Sequence, residues 1–209
     1  TVYTKDDKGE YTKPVKAMVC STGDYTPPRT SKYPSTKYNI SNKYRWLGLQ
    51  GGVYGQYATQ IVGNILFHSV PYTAKSPSAL EWWEYDKLGT YASAGCIRLT
   101  VADAAWIYNN VSAGTTVEFY SSSNPGPLGK PSAKKISNNL ECRGWDPTDP
   151  DKNNPWNKVK VEEHKTNTEE KNNTEEKKDT EEKKDTEEKK DAEEKKDTEE
   201  KKDADEKKR

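Results

Sequence analysis

The stretch Tyr91-Ala-Ser-Ala-Gly-Cys-Ile-Arg-Leu99 places one thiol, Cys96, behind a glycine and two residues ahead of an arginine. A thiol acts as a nucleophile when a neighbouring base or cation holds the thiolate. The chain has two histidines. His164 borders a charged tail and can be set aside. His68 closes the apolar run Asn64-Ile-Leu-Phe67, at the end of an expected strand upstream of Cys96. A strand-end histidine and a cysteine in a glycine-containing turn are a plausible pair for acyl transfer. Both also have ordinary structural readings, as a core thiol and as a hydrogen-bonded core histidine. The neighbours weigh between them.

Gly95 lets the backbone turn tightly, so that adjacent N–H groups can face a developing oxyanion. Ser93 can hydrogen-bond within that turn or reach a substrate. Arg98 follows on the same side of an extended segment as Cys96, because side chains alternate with period two, and it could hold a substrate carboxylate. A turn serine, a turn glycine and a surface arginine are the plain alternatives.

The elements that must position these residues read as mainly β. Val2–Thr4 and Val15–Ser21 flank the polar turn Lys5-Asp-Asp-Lys-Gly-Glu10 and predict a hairpin. A Ser/Thr/Pro-rich loop follows. Three aromatic and β-branched runs, beginning near Tyr38, Tyr54 and Asn64, predict strands. Residues 73–89 form a long connection with one helical turn around Ser78–Tyr85. Thr100 and Asp103 have the spacing of a helix cap and open a short amphipathic helix that should end near Gly114. Thr115–Tyr120 is a closing strand.

The formal charge of zero conceals two halves. Residues 162–209 hold 21 acidic and 15 basic residues, leaving 13 acidic and 19 basic in residues 1–161. All six Trp, all three Cys and all 12 Pro lie in that basic body. Its positive excess suits an anionic partner, either cell-wall polymer or nucleic acid. From Thr168 the chain repeats every six residues in Thr-Glu-Glu-Lys-Lys-Asp-like units. The period is not a heptad and leaves no apolar stripe, so a solvated, disordered tail is expected. The chain therefore divides into residues 1–120, a Pro/Gly/Trp-containing extension at 121–161 and the low-complexity tail at 162–209. Within the extension, Arg143–Trp156 is expected to pack back onto the body as an extended arm.

Cys20 and Cys142 could pair, or Cys20 could be buried unpaired in a half-buried strand. No CxxC or Cys/His cluster suggests zinc. Asp149, Asp151 and Asn153 weakly imitate a calcium loop. That loop lacks its glycine and its glutamate, because Asn154 and Lys160 stand there, and the segment reads as an Asp-Pro turn cluster. No metal and no membrane-spanning run are expected. The chain begins with Thr rather than Met, so it reads as a fragment or a processed product whose leader carried the targeting information.

Leu88–Tyr120 resembles the signature region of the L,D-transpeptidase catalytic domain. That family carries a histidine upstream of Ser-x-Gly-Cys-[Ile/Val]-Arg, then a polar residue, a helix and a closing Gly-Thr-x-Val strand. Val19–Gly23 and Ile65–Tyr72 also look like family segments, in the expected order. The resemblance spans about residues 1–120. It implies a mixed β-sandwich-like fold with one or two short helices and the cysteine at the centre of a cleft. It implies Cys96 as nucleophile and His68 as base, with the Ser69 carbonyl orienting the imidazole. Gly95 and Cys96 N–H groups would line the oxyanion hole, with Ser93, Ala94 and Arg98 beside the substrate. Ala94 departs from the histidine many members carry, which removes one hydrogen bond. The family domain also opens with a further strand ahead of the one matching Thr1–Tyr3.

The implied activity is attack on the carbonyl between the third residue and D-Ala of a peptidoglycan tetrapeptide stem. A thioester forms, D-Ala leaves and an amine of a neighbouring stem completes a 3→3 cross-link, with no cofactor. The implied protein is a monomer in the cell envelope, outside the cytoplasm, with no nucleic-acid partner. Water as acceptor would make a carboxypeptidase, and another amine an anchoring enzyme. A wall-binding module without chemistry is the reading from another class. A sortase also uses Cys, His and Arg, but its arginine stands on a separate strand. A small turn residue beside Cys96 favours a thiolate–imidazolium pair at rest.

Overall fold

Short alternating strands separated by polar turns build a mixed β architecture. The computed structural model describes residues 1–28 and 31–159 of the 209. Its central sheet has four strands in the order β5-β6-β7-β9, formed by Lys43–Gly48, Tyr54–Val62, Ile65–Ser69 and Ile97–Leu99. β6 runs antiparallel to both β5 and β7, whereas β7 and β9 are parallel. Three two-stranded ladders surround it. β1 (Val2–Thr4) pairs with β2 (Lys13–Lys16), β4 (Lys37–Asn39) with β10 (Thr116–Glu118), and β3 (Thr22–Gly23) with β8 (Tyr91–Ser93). α1 spans Trp82–Tyr85 and α2 Val101–Asn110, and a further helical turn begins at Trp156.

The first hairpin forms with a shorter second strand than expected. Asp6 accepts from the Lys8 and Glu10 N–H groups and from the Thr12 hydroxyl, which fixes the turn and lets pairing begin at Lys13. β2 ends at Lys16. Beyond it the chain turns to pair Ser21 with Arg98 through both N–H···O bonds, so Ala17–Cys20 joins no strand. Cys20 is exposed rather than buried, and Cys20, Cys96 and Cys142 are all free. The Thr100 hydroxyl accepts from Asp103 N–H as the cap spacing predicts. α2 stops at Asn110, earlier than Gly114, because Val111 leaves the helical region with ψ of 121°.

α2 packs across β6 and β7 and defines the core. Ile61, Ile65, Ile97, Leu99, Ala104 and Ile107 are buried together there, with Phe67 against them. Burying each such aliphatic side chain contributes roughly 1.5–3 kcal/mol.

The segment after β10 is part of the same compact unit, which runs from Thr1 to Asn157. Ile136 is fully buried and Trp156 nearly so. Asp86 accepts from the Ile136 and Ser137 N–H groups, and Leu80 N–H donates to Gly144 carbonyl. Asp146 and Thr148 then close α2. Val101 N–H donates to Asp146 at 2.8 Å and Ala102 N–H to Thr148 Oγ1 at 3.0 Å. Together with Thr100, these satisfy three of the N–H groups that a helix start leaves unpaired. The charged repeat, and the expectation of disorder that goes with it, lies outside the described residues.

Candidate active site

The parallel register sets two faces of the sheet. Phe67 stands opposite Ile97, and His68 opposite Arg98. Side chains alternate along a strand, so Phe67, Ile97 and Leu99 face α2, while Leu66, His68, Cys96 and Arg98 share the other face. With strands about 4.8 Å apart and two residues adding about 6.6 Å, the α-carbons of His68 and Cys96 fall roughly 8 Å apart. Both residues line a cleft of about 790 Å³, together with Tyr25, Tyr44, Leu66, Ala94 and Gly95. That volume is ordinary for a ligand site.

Cys96 sits in the turn between β8 and β9 and is half-buried. Ser93 Oγ donates to the Cys96 carbonyl at 2.6 Å and closes the turn. Gly95 is required by close approach, because a β-carbon there would lie 2.8 Å from Tyr25 Cβ and 2.9 Å from Ile65 Cδ1. Tyr25 N–H donates to the Ala94 carbonyl and Thr26 Oγ1 to the Gly95 carbonyl, both at 2.8 Å. A trans peptide points its N–H opposite its C=O. The Gly95 and Cys96 N–H groups are thereby turned away from the Tyr25–Thr26 backbone. The Cys96 thiol donates to the Asn64 carbonyl at 3.2 Å.

His68 is 2% exposed. Its Nδ1 lies 2.5 Å from the Ser69 carbonyl oxygen. A carbonyl only accepts, so Nδ1 carries the proton and Nε2 keeps its lone pair. Burial holds the imidazole down to about 4, with the Ser69 carbonyl opposing this and the Arg98 charge adding to it. Burial also pushes the Cys96 thiol up, against a hydrogen bond from the Leu66 backbone and the charge of Arg98. Burial of both groups therefore works against the ion pair expected from exposure of the turn. Desolvation disfavours both charged forms, and the cleft supplies too little charge to offset it.

Arg98 reaches the cleft, but its guanidinium is paired with Glu84 of α1. Glu84 also bonds Lys87 at 2.6 Å. Among the described residues no group of His, Cys, Asp and Glu is arranged to hold a metal ion. Asp149 and Asp151 spend carboxylate oxygens on the N–H groups of Asp151 and Asn153.

Several residues of the site carried no signal in the sequence. Glu84 lay in an aromatic stretch with no evident partner. Gly55 makes room for the imidazole, since a β-carbon there would lie 3.0 Å from His68 Nδ1. Fully buried Gln56 donates its N–H to Ser69 Oγ at 2.9 Å. A glycine and a glutamine inside a strand give no warning of such roles.

Fold and site together describe a small, mainly β domain built around one thiol-bearing cleft. The chain belongs to the YkuD family, whose model, the L,D-transpeptidase catalytic domain, matches residues 1–119. It is 53% identical over 55 residues to the Bacillus subtilis (strain 168) protein named "Putative L,D-transpeptidase YciB". That alignment covers 26% of this chain and 27% of the relative. Among solved structures, an L,D-transpeptidase from Mycobacterium tuberculosis H37Rv shares 28% identity, over 50% of this chain and 42% of that one, with a TM-score of 0.37. The L,D-transpeptidase from Mycobacterium smegmatis shares 19%, over 53% and 51%, with a TM-score of 0.38. No helix among the described residues is long and apolar enough to cross a membrane.

Proposed function

We propose that the protein is an L,D-transpeptidase of the cell envelope, acting on peptidoglycan stem peptides through a Cys96 thioester. The observation that carries this is the fixed tautomer of His68. A buried, neutral imidazole whose Nδ1 proton is held by Ser69 has one remaining function, to accept a proton at Nε2.

In this reading Cys96 attacks the carbonyl that precedes D-Ala. Its proton passes to His68 as the C–S bond forms and the charge moves to the carbonyl oxygen, so the imidazolium arises only with substrate in place. Gly95 and Cys96 N–H groups stabilise the oxyanion, and the Ser93 bond to Cys96 keeps the turn in shape. Collapse of the tetrahedral adduct breaks the C–N bond, and His68 returns the proton to the departing D-Ala amine. The amine of a neighbouring stem then attacks the thioester and restores the thiol, giving the 3→3 cross-link.

The test is intact mass after exposure to a carbapenem, alongside D-Ala release from a disaccharide-tetrapeptide. Wild type is expected to gain one adduct and release D-Ala, and Cys96→Ala to do neither while remaining folded. An adduct retained by Cys96→Ala assigns the reactive thiol to Cys20 or Cys142. Absence of both adduct and D-Ala release in the wild type leaves a wall-binding module.

A further inference from the structure

We propose that Asp149, in the segment beyond the matched domain, is a positioning residue for the His68 imidazole and acts through Gln56 and Ser69. The inference rests on the reading of His68 as the base. It begins with a buried amide whose two ends are both committed. Gln56 Nε2 donates to Asp149 Oδ2 at 3.0 Å, and Arg45 Nη1 donates to Gln56 Oε1 at 2.8 Å. A guanidinium only donates and a carboxylate only accepts, so Gln56 has one permitted orientation. Asp149 is itself held, because its second oxygen accepts from Asp151 N–H and Asn154 donates to its carbonyl.

Gln56 transmits this order to the site in two ways. The β6–β7 pairing runs from the turn as far as Thr59 opposite Phe67. Tyr57 then adopts a φ of +50°, and the pairing breaks off until Tyr54 meets Tyr72 in the same register. Inside that gap, Gln56 N–H takes the Ser69 hydroxyl, and that hydroxyl donates in turn to the Val70 carbonyl. Ser69 is the residue whose carbonyl fixes the His68 tautomer. Next to Gln56, the bare backbone of Gly55 forms one wall of the imidazole site. A displacement of Gln56 therefore moves the wall of the ring and its orienting carbonyl together. In a buried polar network each bond depends on its neighbours being satisfied.

The experiment compares wild type with Asp149→Leu, Asp149→Asn and Asp146→Asn by imidazole nitrogen NMR and by rate of carbapenem acylation against pH. The chain has two histidines, so the His68 signals can be assigned by their loss in His68→Ala. Asp149→Leu is expected to show mixed tautomers at His68 and about tenfold slower acylation, since small misplacements of catalytic groups carry large rate penalties. Asp149→Asn keeps an acceptor oxygen and is expected to fall within about threefold of wild type. Asp146→Asn alters the cap of α2 and is expected to leave the His68 signals unchanged. If Asp149→Leu does not fold, Gln56→Met reads the same link from the other end. Wild-type imidazole signals and acylation in a folded Asp149→Leu or Gln56→Met overturn the proposal. A His68→Ala variant that acylates as fast as wild type defeats instead the base assignment on which it rests.

Discussion

Residues 64–98 help build the cleft through strand pairing, whereas residues 136–156 line none of it and reach the supporting strand β6 through a side-chain hydrogen bond. In the first region, parallel pairing of β7 with β9 puts thiol and imidazole on one face through backbone register. In the second, Asp146, Asp149 and Asn154 are nearly or fully buried and make their bonds to backbone N–H groups, one glutamine and each other's carbonyls. The first arrangement is robust to most surface changes. The second depends on each partner, because an unpaired buried polar group costs about 1–3 kcal/mol. The site's geometry is thus set by a sheet, while its tolerance is set by a short polar segment.

Removing the second region altogether is the strongest test. A chain ending at Tyr120 loses the burial of Ile136 and Trp156 and two N–H partners of α2. It is expected to be unfolded or aggregated by circular dichroism and size exclusion. A chain ending at Val161 is expected to match the full chain in melting temperature and acylation. Equal behaviour of the two truncations would make the polar segment an accessory.

Breaking the first region acts on chemistry alone. His68→Ala is expected to slow carbapenem acylation by about 10²-fold or more while remaining folded. In wild type, iodoacetamide labelling of Cys96 should rise only near or above the free-thiol value of roughly pH 8.5, since burial holds the thiol protonated. Labelling that persists well into acid would restore the resting ion pair.

The two regions also titrate in opposite senses. Burial pushes Asp146 up to about 6, against hydrogen bonds from Thr148 and Val101, and holds His68 down to about 4. The Asp146 contribution to stability is present below the unfolded value near 3.8 and is lost as pH rises through 6. The His68 contribution is present above 6.5 and is lost as pH falls through 4. Between pH 4 and 6, of these two groups the folded chain protonates only Asp146 and the unfolded chain only His68. The two slopes cancel. Relative to wild type, urea-unfolding stability of His68→Ala should fall with rising pH by about 1.4 kcal/mol per unit in that window, and that of Asp146→Asn should rise by the same amount. Parallel curves for all three proteins would show that the two groups do not titrate as described.

The smallest expected effect is at Glu84. Glu84→Gln releases Arg98 from its carboxylate, and the guanidinium charge then favours the Cys96 thiolate more strongly. Labelling at pH 8 should quicken by less than about threefold, with its midpoint at lower pH. Slower labelling would mean that Glu84 holds Arg98 in place rather than screening it.

The sequence announced the strands, the α2 cap and the Cys96 turn because those depend on local rules: alternation, capping spacing and a glycine before the thiol. It also pointed to His68 and to the Ser69 carbonyl, through a motif order that resembles a known family. Arg98 was legible as a cation near the thiol but not as the partner of Glu84, since nothing local joins β9 to α1. Asp146 and Asp149 were legible only as turn formers. Asp-Pro clusters signal a turn wherever they occur, and no periodicity marks the one whose carboxylate is aimed inward at Gln56.

The bond between Gln56 and Asp149 joins residues 93 positions apart. In kinetic terms it closes a long loop, and contacts of that kind form late because chain entropy opposes them until the rest is packed. During synthesis the strands that carry His68 and Cys96 emerge well before Asp149 does. The strands that bear the thiol and the imidazole are therefore made together and early, and the buried Gln56 amide gains its Asp149 partner only when the last polar segment docks.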